Sequence, residues 1–542
     1  VARQRREDGE AHRRGSSQPH AFDRFACSIN NPGAALADEH EPTSTQGGRM
    51  PLRTVEQYME GLRDSREVYV KGQRVADVTQ HPDLAICIGH GANAYSLAHE
   101  PALRETFTFE QAGDVRNRHF EPLTSPDALR RRSILIEEHT RQARSTLNLT
   151  KAVGTDALAA LHATSVAVDR EHGTEYGARV AAFRERCASG DLSLVLAQTD
   201  VKGDRSLAPH QQPDPDMYVH IVERRSDGIV VRGAKAHTTM TPAADELIVL
   251  PTRAMSEADA DYAVAFAIPV ATPGLRLICG PLPDHRRSEL EAPVSGVNIE
   301  METLTVFDDV FVPWERVFLA GEFRHAAALA TTFATFHRFT AISYKLPFAE
   351  LALGCAVAMA ELNGTAKAGH VREKIGKLVH YQEILRACIH GAWAEALPAE
   401  GGLFLPNPVY TNTAKFHFAS QFHDVVRILQ DIAGGMMITA PGAADLASPE
   451  TGPWVRKYLQ GAAGTDAETR LRLLHLIRDL TASDFGGYNL VVTLHGEGSL
   501  QAQLLQTLRD TDLTAPLAAV ERIIGPLPAI AATSPSALPV LR

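Results

Sequence analysis

The stretch Thr199-Asp-Val-Lys-Gly-Asp-Arg205, followed two strand-like runs later by Gly233-Ala-Lys-Ala-His-Thr-Thr239, decides how this 542-residue chain is read. Each piece gathers cations, glycine and hydroxyls into a short polar segment. Strand-like runs at 192–197, 218–222 and 229–231 flank them. Loops between strands carry binding groups more often than cores. Two such loops predict an anionic or heteroaromatic ligand.

Working outward, period two continues through 246–250, 263–268, 275–279 and 304–307, with Pro, Gly and Asp between the runs. This predicts a central β-domain over 192–317. Residues 50–191 read as a helical domain, with apolar groups three and four apart in 133–152 and 155–172 and Thr155-Asp156 as a cap. Helical spacing returns at 326–344, 347–363, 366–394, 411–432 and 468–480, predicting a bundle over 318–525. Residues 526–542 read as a tail. The first 49 residues have no apolar period and read as a disordered extension, after which Met50 resembles a natural start.

A formal charge of −11 argues against nucleic acid or an anionic membrane as partner, since both need a basic field. The longest apolar helix is expected near 351–362, short of the roughly 18 residues that span a bilayer, so no membrane segment is expected. The six cysteines are far apart, without C-x-x-C spacing, so no metal site is expected and a reducing cytoplasm fits. Gly89-His-Gly-Ala-Asn-Ala94 has the spacing of a dinucleotide turn, but no strand–helix–strand alternation follows it.

The two opening segments, with Pro213-Asp-Pro-Asp, Asp227-Gly-Ile-Val-Val-Arg-Gly, Val306-Phe-Asp-Asp-Val-Phe-Val-Pro and Asp431-Ile-Ala-Gly-Gly-Met-Met, resemble the flavin-dependent 4-hydroxyphenylacetate 3-hydroxylase family over residues 53–525. Within it they resemble the 4-hydroxybutyryl-CoA dehydratase branch most. The resemblance implies an α+β multidomain, acyl-CoA dehydrogenase-like fold: an N-terminal helical domain, a central β-barrel-like domain and a C-terminal helical bundle. It also implies a homotetramer, for which apolar faces along 347–394 leave room.

By the same resemblance, Thr199, Lys202, Arg205, Thr238 and Thr239 line FAD, and Gly434-Gly435 lets backbone approach the nucleotide. From the residues alone, Lys202 and Arg205 suit surface ion pairs in a β-turn better, and the glycine pair a plain helix end. His337, Ala341, Tyr344 and Lys345 share one helix face. In the dehydratase branch that face reads His, Tyr, Cys and Lys, and its His and Cys hold a four-iron four-sulfur cluster with two further cysteines. Tyr344, Asn148 and Ala152 stand at the three cysteine positions here, so no iron–sulfur cluster is expected. Glu302 matches a family carboxylate, while a second becomes Val492. In the phenol-hydroxylating branch an Arg, a Tyr and a His grip the phenolate; these positions hold Arg144, Asn148 and Leu196.

The expected activity is a two-component monooxygenase that receives reduced FAD from a separate flavin reductase and hydroxylates a small aromatic or anionic substrate with O2. His337 would act as acid or base, beside Glu302, with Lys345 and Arg144 orienting the substrate. The alternatives are a cluster-free acyl-CoA isomerase or dehydratase-like flavoenzyme, and an inactive scaffold.

Overall fold

A computed structural model describes residues 52–281, 287–462 and 464–527. The predicted extension, 1–49, and most of the predicted tail, 528–542, lie outside the described residues. The central region holds two sheets. The larger has six strands in the order Gln73–Arg74, Glu67–Val70, Leu275–Cys279, Thr303–Pro313, Gly228–Lys235, His220–Arg224. The smaller has four, ordered Val317–Ala320, Val264–Pro269, Glu246–Val249, Leu194–Ala197. Strand Glu246–Val249 is buried at every position, as expected of a strand covered on both faces. Phe266 of the small sheet meets Phe307 of the large one edge to face at 5.9 Å, closing the core between them.

Two expectations change here. Among the described residues neither sheet closes on itself, so the β-region is a pair of open sheets and not barrel-like. The segment 50–191, read as mainly helical, also contains short strands that the reading did not place. Glu67–Val70 alternates partly buried and buried residues and pairs in parallel with Leu275–Cys279, in the register Glu67↔Arg276. Its partner lies far along the chain, and four residues give too short a period to stand out locally.

The helices also differ from the sequence reading. Pro126–Gln142 and Leu149–His172 are separated by a turn in which Arg144 and Ser145 adopt φ of 56° and 62°. Asn148, accepting from the Thr150 amide at 3.1 Å, caps the second helix in place of the expected Thr155-Asp156. Gly154 lies where this helix meets strand Leu194–Ala197; a Cβ there would fall 2.3 Å from the Leu194 carbonyl oxygen. The segments 326–344 and 347–363 are one helix, Ala326–Leu362, with Pro347 inside it. Counted from Phe323, it is long and apolar enough to cross a membrane, contrary to expectation, yet 61% of its most apolar window is buried within the protein. It packs against Leu149–His172, Pro126–Gln142, Gly369–Ala394 and Pro408–Ala433, which accounts for its apolar content. Gly89-His-Gly-Ala-Asn-Ala94 lies within helix Ala85–His99, with no strand leading into it, so it forms no nucleotide turn.

Candidate active site

The two opening segments meet. The Ala236 amide donates to the Thr199 carbonyl at 2.8 Å, and buried Lys235 pairs with buried Asp200 at 2.6 Å while its Nζ also donates to the Gln198 and Leu250 carbonyls. Beyond this clamp, Lys202 and Gly203 turn through positive φ, and the Gln212 side chain bonds both the Asp204 amide and its carbonyl. A Cβ on Gly203 would fall 2.3 Å from Gln212 Oε1, so the turn requires glycine. The loop therefore holds Lys202 and Arg205 on a braced frame. Neither cation has a hydrogen-bond or ion-pair partner among the described residues.

These groups form one wall of a cavity of about 1230 Å³. Thr199, Lys202, Arg205, Thr239, Glu302, His337 and Lys345 all line it. Glu302 accepts from Thr239 Oγ1 at 3.0 Å on both oxygens and from Tyr488 Oη at 2.6 Å. Burial, with Glu300 and Glu302 nearby, holds the Tyr488 hydroxyl well above its usual range, so it remains a donor. His337 stacks on Phe333 at 5.2 Å, with Nδ1 3.2 Å from Asp156 Oδ2. Asp156 also accepts from Arg132 at 2.8 Å and Thr340 at 2.9 Å. A carboxylate held this way only accepts, so Nδ1–H is the donor in this contact and Asp156 orients the ring.

Four expected residues lie elsewhere. Arg144, 41% exposed, donates to the Pro293 carbonyl at 2.6 Å and pairs with Glu289 at 2.7 Å. Its turn points it away from the cavity lining. Thr238 is fully buried and bonds Thr303 and Thr305, joining the strand end to its neighbour. Gly434 and Gly435 are exposed at the end of helix Pro408–Ala433, outside the lining. Of the two other positions matched to the phenolate grip, Leu196 lines the cavity and Asn148 is spent on its helix cap.

The structure adds two residues that the sequence reading passed over, Glu300 and Glu497, which line the same cavity as Tyr344. Glu300 Oε1 is buried without a partner among the described residues, and burial followed by repulsion from Glu302 and Glu497 pushes its carboxyl well above the usual range, against the pull of Lys345. Lys345 Nζ reaches Tyr344 Oη at 2.8 Å and Glu497 at 3.1 and 3.3 Å. Among the described residues no cysteine lines the cavity, and Tyr344 fills the helix position matched to a cluster thiolate. An iron–sulfur cluster does not fit this donor set. Glu171, His172 and His325 bring ligand-type atoms within 4.8 Å of one another, but none of the three lines the cavity.

Comparison with known proteins places this arrangement. The sequence matches the patterns described as 4-hydroxyphenylacetate 3-hydroxylase N terminal, over residues 54–319, and C terminal, over 326–525. The chain belongs to the 4-hydroxyphenylacetate 3-hydroxylase family. It is 34% identical to the 4-hydroxybutyryl-CoA dehydratase/vinylacetyl-CoA-Delta-isomerase of Clostridium aminobutyricum over 490 residues, covering 88% of this chain and 99% of that one. It is 33% identical to the 4-hydroxyphenylacetate 3-monooxygenase oxygenase component of Thermus thermophilus, covering 80% and 89%. A crystal structure of such an oxygenase component complexed with FAD superposes with a TM-score of 0.81 at 30% identity, covering 87% of this chain and 98% of that one. The acyl-CoA dehydrogenase-like fold expected for this family member is the one observed.

Proposed function

We propose that this chain is the oxygenase component of a two-component flavin monooxygenase, taking reduced FAD from a separate reductase and hydroxylating a small aromatic substrate. The observation that carries the proposal is the pair of cations, Lys202 and Arg205, without a partner among the described residues, on a braced loop at a cavity whose far end holds acid–base groups and, among the described residues, no thiolate. Relatives on the oxygenase side of the family support the same reading. Reduced FAD, when bound, supplies the electrons that activate O2. Lys202 and Arg205 would hold its anionic groups, with Thr199 and Thr239 as hydrogen-bonding partners. Phe333, Phe348, Phe418, Phe422 and Phe485 wall the cavity, excluding water and seating a flat apolar ring. His337, oriented by Asp156, is poised as the base at Nε2. Lys345 would face the substrate oxygen. We place the enzyme as a homotetramer acting without a metal. The test is oxygenated product from a panel of phenols with NADH, a flavin reductase, FAD and O2, read by mass spectrometry.

A second reading is a cluster-free CoA-thioester isomerase using oxidised FAD. It is favoured by the identity to the dehydratase/isomerase and by Glu302, His337 and Lys345 sharing one cavity. Conversion of vinylacetyl-CoA under argon, with no reductase, would select it.

A further inference from the structure

Away from the cavity, two imidazoles converge on one carboxylate. Glu171 and His172 close helix Leu149–His172, and His325 ends the short turn Phe323–His325 that leads into helix Ala326–Leu362. His325 Nε2 lies 3.1 Å from Glu171 Oε2, and His172 Nε2 lies 3.7 Å from Glu171 Oε1. The two rings stand edge to face, with 5.4 Å between centroids at 77°. One ligand-type atom from each of the three residues falls within 4.8 Å of the others.

The surrounding structure holds these atoms in place. Gly173, at φ 68°, ends the helix with its amide on the Asp169 carbonyl at 2.8 Å. The Asp169 side chain then accepts from Thr174 Oγ1 at 2.6 Å and from the Tyr176 and Gly177 amides at 2.8 Å, which ties the turn carrying Glu171 and His172 to the next helix, Tyr176–Ser189. The His325 side chain is only 12% exposed. Charged neighbours are committed elsewhere: Arg170 pairs with Glu400 at 3.0 Å, the Arg324 guanidinium lies over the Phe323 ring at 5.8 Å, and Glu322 accepts from Tyr176 Oη at 3.1 Å and from the Ala320 amide at 2.8 Å. Neither arginine needs Glu171 as its counter-charge.

An ordinary ion pair accounts for His325 beside Glu171, but not for a second imidazole aimed at the other oxygen. In a tetrahedral zinc site, with bonds of about 2.0 to 2.1 Å, neighbouring ligand atoms stand about 3.3 Å apart. The two measured separations, 3.1 and 3.7 Å, bracket that spacing. Two imidazole nitrogens with one carboxylate suit Zn²⁺, whereas Mg²⁺ and Ca²⁺ favour shells made of oxygen alone.

We propose that Glu171, His172 and His325 form a zinc site that staples the end of helix Leu149–His172 to the start of helix Ala326–Leu362. Zn²⁺ takes Nε2 of both histidines and one oxygen of Glu171, and water fills the fourth position. These are the helices that carry Asp156 and His337, so the staple steadies from outside the pair that meets in the cavity. The ion takes no part in the chemistry there, because at 1.5 Å per residue His172 stands roughly 24 Å along its helix from Asp156.

The test uses the full chain, stripped of metal by a chelator and dialysed, with ZnCl₂ as the probe in titration calorimetry and thermal unfolding. The expected result is one zinc per chain at micromolar or tighter affinity and a raised melting temperature, with no such rise in the same concentration of MgCl₂. His172→Ala and His325→Ala should each weaken zinc binding at least about tenfold. Glu171→Gln should do the same; it keeps the size of the side chain, which guards against a folding failure in the others, and circular dichroism checks all three. Zinc that fails to bind, that is matched by magnesium, or that binds the variants as well as the wild type, as at an adventitious surface site, overturns the proposal. Neither FAD nor turnover enters the readout, so failure of the oxygenase reading leaves the zinc site standing.

Discussion

At the loop end of the cavity Lys202 and Arg205 have no protein partner among the described residues, whereas at the helical end Lys345 and Lys415 share Glu497 within 3.3 Å. Both ends carry two basic side chains, yet their surroundings differ. Arg205 is exposed and Lys202 half-buried, so water solvates each charge until an anion arrives. Lys345 and Lys415 are buried, and burial lowers both, Lys415 to about 7. On the proposed reading the loop end captures an anionic ligand and the helical end is the acid–base side of the cavity. Fixed charge placed for binding tolerates solvent; proton exchange near neutrality needs the desolvation that brings carboxylate and ammonium ranges together.

The widest expected effect separates binding from chemistry. His337→Ala should lower turnover by about 100- to 10,000-fold, the range for loss of a general base, while FAD affinity changes little. Steady-state kinetics beside flavin fluorescence reads both, and a loss under about tenfold would move the base elsewhere. Next, the double variant Lys202→Ala with Arg205→Ala should weaken FAD binding about ten- to a hundredfold and flatten its salt dependence. An unchanged salt slope would mean that these cations do not touch the cofactor.

Smaller effects concern stability. Glu497 holds its proton up to about pH 8 in the fold, against 4.5 for an unperturbed glutamate. Its contribution is thus complete below about 4.5 and lost as pH rises to about 8. Urea denaturation should show wild type losing stability relative to Glu497→Gln as pH rises across that window; wild type gaining on the variant would contradict the raised value. The smallest effect is expected for Arg144→Ala, within about 0.5 kcal/mol in stability and without change in turnover, because its ion pair is half exposed and outside the cavity.

The strands of the central region could be read in the sequence because a period of two survives in segments such as 246–249 and 264–269, whose partners are near in the chain. The break at 143–148 could not, since Arg144 and Ser145 take left-handed conformations without glycine or proline to signal them. In the site, Lys202, Arg205, Thr239, Glu302, His337 and Lys345 were legible from motif and helix face. Thr238 was not separable from Thr239, because adjacent residues point to opposite sides and only the pairing with Thr303 and Thr305 fixes which side is core. Glu497 was missed although an acid between two glycines was a visible signal; its partners Lys345 and Lys415 come from helices remote in sequence.

The central claim is that one cavity takes reduced FAD at the loop end and a phenol at the helical end. Its most direct test is single-turnover mixing of the protein–reduced FAD complex with phenols and ¹⁸O₂, followed by mass spectrometry. The account predicts one labelled oxygen in the product and strict dependence on O2. Unlabelled product, or turnover of vinylacetyl-CoA under argon with oxidised FAD, would contradict it.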